Sequence, residues 1–306
     1  MIKIIIRVKY RKRINRALKK AGEVPPSNFY LKSMDILNKI ISHQKKDVAK
    51  RQKKRPLSSF IDQVTKSERN FREALTGRAS LTPIDKLPRP RLIAEIKKAS
   101  PSAGVIRANI DRELLKIVAT FNQFAAAISV ITEKKFFQGS LSRLQKVRDL
   151  TPLPTLAKDF ILDEYQLYEA RLHGADAVLL IAQGNEPGQI EFLEKMIGIA
   201  HSLGMDSLVE THTVEDVKTA LAAGAEIIGI NNRDLATFKI DFDTTANLLP
   251  YIPEDIVIVS ESGYKTPLDI QRIGDRVDAV LIGTGLLQSS NLPQTFEQLF
   301  TRVGKT

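Results

Sequence analysis

Glu95 and Lys97 lie two residues apart behind the apolar pair Leu92-Ile93, in the stretch Ala94-Glu95-Ile96-Lys97-Lys98-Ala99-Ser100-Pro101-Ser102. On a strand, residues two apart share a face. A carboxylate and an amine would then project into one space just before the chain breaks at Ser-Pro-Ser. A (β/α)8 barrel presents reactive groups in this way, at the C-terminal ends of its strands. A solvated edge strand with an ion pair would read the same over these residues alone. What separates the two readings is whether other strands end alike.

They do. Further apolar runs end in Thr132-Glu133-Lys134-Lys135-Phe136-Phe137, in Lys158-Asp159-Phe160, in Glu210-Thr211-His212, in Asn231-Asn232-Arg233-Asp234, in Ser260-Glu261-Ser262-Gly263 and in Gly283-Thr284-Gly285. Two lysines, Lys97 and Lys158, and two glutamates, Glu95 and Glu210, in one dry mouth suit acid–base work. A lysine that is desolvated or beside another cation loses affinity for its proton and can donate it near neutral pH. Glu210 could act as a base or stabilise a developing cation. His212 points the same way as Glu210 but is expected beyond the mouth, and His43, His173 and His201 fall in helical stretches and read as structural. No H-E-x-x-H spacing and no Walker-type loop occurs.

The last two endings read as an anion site. Ser262-Gly263 and Gly283-Thr284-Gly285 free backbone N–H groups and remove side-chain bulk, and Leu286-Leu287 can open a short helix facing the same spot. Barrels bind phosphate there. Two ordinary turns with glycine supplying positive φ are the plainer alternative.

These groups need a scaffold, and the chain supplies a strand-then-helix rhythm from residue 91 onward. Near-continuous apolar runs predict strands over 92–97, 126–132, 155–158, 177–181, 207–210, 227–231, 256–261 and 279–283. Runs without alternation indicate strands buried on both faces, as in a parallel sheet. Helical periodicity predicts helices over 112–124, 141–150, 164–172, 190–203, 214–223, 244–251, 268–273 and 294–303, with Gly174, Gly204 and Gly224 at helix exits. The fold class is therefore α/β, a (β/α)8 barrel with an N-terminal helical extension. A doubly wound sheet is the runner-up, but it would carry a glycine-rich fingerprint after its first strand, and Glu-Ile-Lys-Lys-Ala-Ser-Pro is unlike one.

The 306 residues and the 43% hydrophobic content suit one large α/β domain. There is no cysteine, which excludes disulfides and thiol chemistry. No apolar run approaches the roughly 18–20 residues of a membrane span. Residues 1–33 carry ten Lys/Arg against Glu23 alone, +9 of the total charge of +11. The basicity belongs to that extension rather than to the main domain. We read 1–33 as disordered or not native, with Met34 as the true start; a basic arm and an organelle-targeting peptide are the other readings. From Met34, residues Leu37, Ile40, Ile41 and Val48 mark an amphipathic helix. Residues 35–80 read as helices broken at Pro56, with Phe60, Val64, Phe71 and Leu75 on an apolar face, and Pro83, Pro88 and Pro90 as a stiff connector. The domain proper is 34–306, with capping helices in 34–90.

Taken together, the chain from about Met34 onward resembles the indole-3-glycerol phosphate synthase family. The motifs are Glu-Ile-Lys-Lys-Ala-Ser-Pro-Ser (95–102), Ser-Val-Ile-Thr-Glu-Lys-Lys-Phe-Phe-Gln-Gly-Ser (129–140), Lys-Asp-Phe-Ile (158–161), Gly-Ile-Asn-Asn-Arg-Asp-Leu (229–235), Glu-Ser-Gly (261–263) and Leu-Ile-Gly-Thr (281–284). The resemblance implies closure of the indole ring of 1-(2-carboxyphenylamino)-1-deoxyribulose 5-phosphate with loss of carbon dioxide and water. It implies no cofactor and no metal, a phosphorylated small-molecule substrate, no nucleic-acid or membrane partner, a cytoplasmic location, and a monomer in preference to an oligomer.

It also implies roles. Lys158 would be the general acid on the substrate carbonyl, and Lys97 would pair with the substrate carboxylate and assist proton transfer. Glu210 would stabilise the cationic intermediate or take its proton, with Glu95 and Asn231 as dehydration and positioning partners. Ser100, Phe137, Arg233, Ser262, Gly263, Gly283 and Thr284 match substrate-binding positions, and Phe160 and Leu179 match the aromatic-ring pocket. Thr284 stands where serine is common, and Ala157 where a larger or basic residue is common. A sugar-phosphate isomerase barrel of the phosphoribosylanthranilate isomerase type has a similar rim but uses a catalytic cysteine, which this chain lacks. Nucleic-acid binding through the basic arm would show as salt-dependent affinity lost without 1–33. A degenerate barrel is disfavoured by the presence of both lysines and both glutamates.

Overall fold

In the computed structural model the described residues are 27–77, 89–184, 186–234 and 238–300. Eight parallel strands close into a barrel: β1 (Arg91–Ile96), β2 (Ala127–Ile131), β3 (Thr155–Lys158), β4 (Ala177–Ile181), β5 (Asp206–Thr211), β6 (Ile227–Asn231), β7 (Val257–Glu261) and β8 (Ala279–Ile282). Each pairs with its successor, and β8 closes on β1 through Arg91↔Ala279 to Ala94↔Ile282. The strands are buried on both faces because odd and even positions have different partners. On β1, Leu92, Ala94 and Ile96 pack outward against the helices, while Ile93 faces the barrel interior. Ile93, Leu156, Leu179, Leu208 and Val259 fill that interior.

The outer layer is α3 (Ile110–Phe124), α4 (Leu141–Leu150), α5 (Glu164–Leu172), α6 (Gln189–Ser202), α7 (Val214–Ala222), α8 (Asp243–Leu248), α9 (Pro267–Gln271), α10 (Thr284–Leu287) and α11 (Leu292–Phe300), after α1 (Ser27–Lys54) and α2 (Phe71–Thr76). Their starts are locally encoded. Ser140 accepts a hydrogen bond from Arg143 N, Asp163 accepts one from Tyr165 N, and Thr213 with Asp216 forms a capping box, as does Thr266 with Asp269. Among the described residues no helix is long and apolar enough to cross a membrane.

The N-terminal region departs most from expectation. α1 begins at Ser27, before Met34, so residues 27–33 belong to a helix. The rest of the basic extension, 1–26, lies outside the described residues, as do Pro83 and Pro88. After Pro56 the chain makes only single 3-10 turns, Leu57–Ser59 and Ile61–Gln63, before α2. Ser59 Oγ donates to Pro56 O at 2.7 Å, a local bond that competes with helix continuation. The four residues read as one apolar face therefore separate. Phe60 packs with Val48 and Tyr165 under α1, whereas Phe71 and Leu75 enter the barrel interior.

α1 covers the opposite end. Ile36, Leu37 and Ile40 line the mouth of the cavity at the C-terminal ends of the strands. Gln44 Nε2 donates to Asp159 Oδ1 at 2.7 Å, Gln52 Nε2 donates to Asp163 Oδ1 at 3.0 Å, and Arg51 pairs with Glu169. Asp159 Oδ2 also accepts from Thr132 Oγ1 at 2.8 Å. Burial pushes the Asp159 carboxyl up to about 6, against the pull of its Thr132 and Phe160 N–H bonds.

Two outcomes follow. Phe71→Ala should lower stability by about 3–5 kcal/mol, the usual cost of emptying a fully buried aromatic site. Denaturant unfolding tests this, and a loss below about 1 kcal/mol would mean that α2 does not fill the barrel. Asp159 has a folded-state pKa above its ordinary value, so the folded state binds the extra proton. Its contribution is full below about pH 4 and is lost as pH rises through about 6, by roughly 2–3 kcal/mol in all. Asp159→Asn keeps both Oδ1 bonds and should flatten that part of the stability–pH curve; an unchanged slope would assign it to another group.

Candidate active site

The strand ends open into a cavity of about 430 Å³ under α1, within the range of small-molecule sites. Every residue named from the sequence lines it: Glu95, Lys97, Ser100, Phe137, Lys158, Phe160, Leu179, Glu210, Asn231, Arg233, Ser262, Gly263, Gly283 and Thr284. His212 lies outside, with Nδ1 on the Asn231 carbonyl at 2.7 Å and Nε2 3.8 Å from Asp234.

β1 ends at Ile96, so Lys97 sits one residue past the strand and still turns back to pair with Glu95. β3, two strands round the barrel from β1, delivers Lys158. Its Nζ donates to Glu261 Oε2 at 2.9 Å and to Glu210 Oε2 at 3.4 Å. Asn231 Nδ2 donates to Glu210 Oε1 at 3.1 Å, fixing that carboxylate, and Asn231 Oδ1 accepts from Arg233 N at 2.9 Å.

The electrostatics correct one expectation. Burial alone would lower the Lys158 pKa, but Glu261, Glu210 and Glu95 outweigh it and raise the pKa above the usual lysine value. Lys158 is thus a firmly held ammonium rather than a weakened one. Burial would likewise raise Glu95, yet Lys97 and Lys158 hold its carboxyl below the usual range. Glu261 goes the other way: burial pushes it up, and Glu210 and Glu95 add to that, against the pull of Lys158.

Glu261 is the residue that the sequence reading undervalued. It was visible at a strand end but was not assigned a role. It is buried, and its carboxylate lies over Gly229 of the neighbouring β6, where a Cβ would meet Glu261 Oε1. Glu133 is a second omission. Its carboxylate accepts from Lys135 N (3.0 Å), Phe136 N (2.7 Å) and Phe137 N (2.9 Å), folding the β2 loop so that Phe137 reaches the cavity. There the Phe137 ring lies 6.3 Å from that of Phe160. Among the described residues no group of three or more His, Cys, Asp or Glu side chains could hold a metal ion.

The glycine-bearing loops face this charged cluster. Ser262 (φ +71°) and Gly263 (φ +103°) are successive left-handed residues. Gly285 packs so tightly that a Cβ there would lie 2.6 Å from the Tyr264 carbonyl, which joins the β7 and β8 loops backbone to backbone. A Cβ at Gly283 would strike Glu95 Oε1. Gly283 therefore makes room for the carboxylate, and a valine there would disturb the charged cluster and not only an anion.

Comparison with known proteins agrees with this geometry. The indole-3-glycerol phosphate synthase family model matches residues 37–299. Indole-3-glycerol phosphate synthase of Chloroherpeton thalassium is 44% identical over 263 residues, covering 85% of this chain and 97% of its own. That of Alkaliphilus metalliredigens is 42% identical over 268 residues, with 86% and 97% covered, and that of Dehalococcoides mccartyi strain CBDB1 is 42% identical over 273 residues, with 86% and 99% covered. With the match spanning the whole barrel and the roof helix, the chain belongs to the indole-3-glycerol phosphate synthase family.

Proposed function

We propose that this protein is a carboxy-lyase of tryptophan biosynthesis, converting 1-(2-carboxyphenylamino)-1-deoxyribulose 5-phosphate to indole-3-glycerol phosphate. The observation that carries this reading is the Lys158 ammonium, set between Glu210 and Glu261 in one cavity with the Glu95–Lys97 pair. The aryl carbon bearing the carboxylate attacks the ketone, and the new C–C bond pushes charge onto the ketone oxygen. An alkoxide is a far stronger base than a carboxylate, so a lysine that keeps its proton among carboxylates still gives it up there. Glu261, 2.9 Å away and pushed toward its protonated form, is placed to return a proton to Lys158.

Lys97 also lines the cavity and suits the substrate carboxylate, which leaves as carbon dioxide. Loss of the hydroxyl as water then needs a proton for the leaving oxygen, which the Lys97 ammonium can give once the carboxylate has left, and also a base and a counter-charge for a cationic ring. Glu210, steered by Asn231, and Glu95, held ionised by its lysines, suit those tasks. Phe137, Phe160 and Leu179, under Ile36, Leu37 and Ile40, form an apolar slot for the aromatic ring. Ser262, Gly263, Gly283 and Thr284 suit the phosphate through backbone N–H groups, with Arg233 and Ser100 also lining the cavity, Ser100 on the loop after β1, the neighbour of β8.

The partner is thus a small phosphorylated molecule. We assign no nucleic-acid or membrane partner, a cytoplasmic location and a monomeric state, as the family resemblance implies. The near-neutral charge of the chain outside 1–33 supports the first of these.

Lys158→Met replaces the amine at similar volume. It should leave a folded protein whose kcat for indole formation, followed by fluorescence, is lower by about 10²–10⁴-fold. A kcat within a few-fold of the parent would remove Lys158 from the acid role.

A further inference from the structure

Beneath the Ser262–Gly263 loop lies a buried cluster that contributes no charge to the site. Asn232, Thr245, Ser260 and Tyr264 are each at most 2% exposed. They come from three elements: the end of β6, the helix α8, and β7 with its loop. Thr245 Oγ1 donates to Asn232 Oδ1 at 2.7 Å, which uses its single proton. The contact between Thr245 and Ser260, at 2.6 Å, must then be donated by Ser260. The Ser260–Tyr264 contact must in turn be donated by the phenol. The Tyr264 oxygen accepts from Asn232 Nδ2 at 3.1 Å, and the ring is closed. That amide hydrogen also lies 3.1 Å along from Ser260 Oγ, within the same ring.

Asn232 Nδ2 also donates to the carbonyl of Ser262 at 3.3 Å, so its two hydrogens are shared among Tyr264, Ser260 and this carbonyl. The Asn232 backbone N–H holds the preceding carbonyl, Glu261 O, at 2.9 Å. A single residue, through its backbone N–H and its side-chain amide, thus grips both peptide units at the point where Ser262 takes a left-handed φ that a residue with a Cβ rarely adopts. Turning that peptide outward would break the one bond by which the buried ring holds the Ser262 carbonyl.

We infer that Asn232, Thr245, Ser260 and Tyr264 are positioning residues that hold the Ser262–Gly263 peptide in its left-handed form, so that its loop is preset for the phosphate of the substrate. The inference rests on the reading of that loop as the phosphate cradle. The network touches neither Lys158 nor its carboxylates in any hydrogen bond described above. Its effect therefore falls on binding of the phosphate-bearing end and not on proton transfer.

Tyr264→Phe and Thr245→Val each remove one hydroxyl with little change of shape, and Thr245→Ser retains it. Five quantities should be measured: kcat and KM for the phosphorylated substrate, kcat/KM for the same compound without its phosphate, the Kd of inorganic phosphate, and the unfolding midpoint. Tyr264→Phe and Thr245→Val should raise KM and the phosphate Kd by about three- to tenfold. Their kcat and their kcat/KM for the dephosphorylated compound should stay within about twofold of the parent, on the same scale. The double variant should be no worse than the more severe single one, because one break opens the ring. Thr245→Ser should behave as the parent. A lower midpoint with an unchanged phosphate Kd, or equal losses on both compounds, would overturn the inference and leave the ring a structural element. If Thr245→Val does not fold, Tyr264→Phe decides by the same comparison. If the parent itself neither binds inorganic phosphate nor prefers the phosphorylated compound, the cradle reading falls, and the inference with it.

Discussion

An ammonium group in a dry barrel mouth has to be matched by carboxylates, and the placement of Lys158 constrains everything around it. Three strands supply the matching charges, with Glu95 on β1, Glu210 on β5 and Glu261 on β7. Removing one partner of such a set leaves an uncompensated buried charge, which is far costlier than replacing the whole set by apolar groups. The cluster is also tied to the backbone. The Glu261 carboxylate occupies space that β6 leaves free at Gly229, and Glu95 lies against the β8 end at Gly283, where a Cβ would come within 3.1 Å of the Glu95 Cβ as well. The glycines of the rim therefore serve the carboxylates as much as any ligand.

The barrel separates stability from chemistry along its axis. Below the charged layer, Ile93, Leu156, Leu179, Leu208 and Val259 pack without polar atoms, and Phe71 and Leu75 seal the lower end. Above it, α1 is seated by polar contacts to the α5 side, at Asp159, Asp163 and Glu169. The roof is thus latched by groups adjoining Lys158 in sequence. Rigid strands hold the reacting groups, and a helix closes over them, which suits a site that must be both geometrically strict and accessible.

Much of this was legible in the sequence, for physical reasons. β3, β4 and β6 were predicted to the residue because apolar runs flanked by polar breaks mark strands buried on both faces. β5 was read short. It starts at Asp206, whose carboxylate accepts from Arg72 N at 2.9 Å, a contact with a distant segment that no local pattern reveals. The pairing of Lys158 with Glu261 was hidden for the same reason, since the two residues are 103 positions apart. So was the direction of the Lys158 shift, because desolvation was evident from the sequence but the number of carboxylates within reach was not. The start of α1 was misplaced because the basic run and Met34 suggested a chain start, although Tyr30, Met34, Leu37 and Ile41 recur at helical spacing across that point, and the break after Pro56 was right in position but understated in length.

The end of β6 carries a consequence of another kind. Asn231 and Arg233 line the cavity, while Asn232 between them turns into the buried layer against α8. Consecutive residues here belong to different environments, so this stretch behaves like a reading frame. Exchanging one side chain alters one function. Deleting or inserting one residue would turn the guanidinium toward the helix layer and a buried amide toward the cavity, and so spoil both at once.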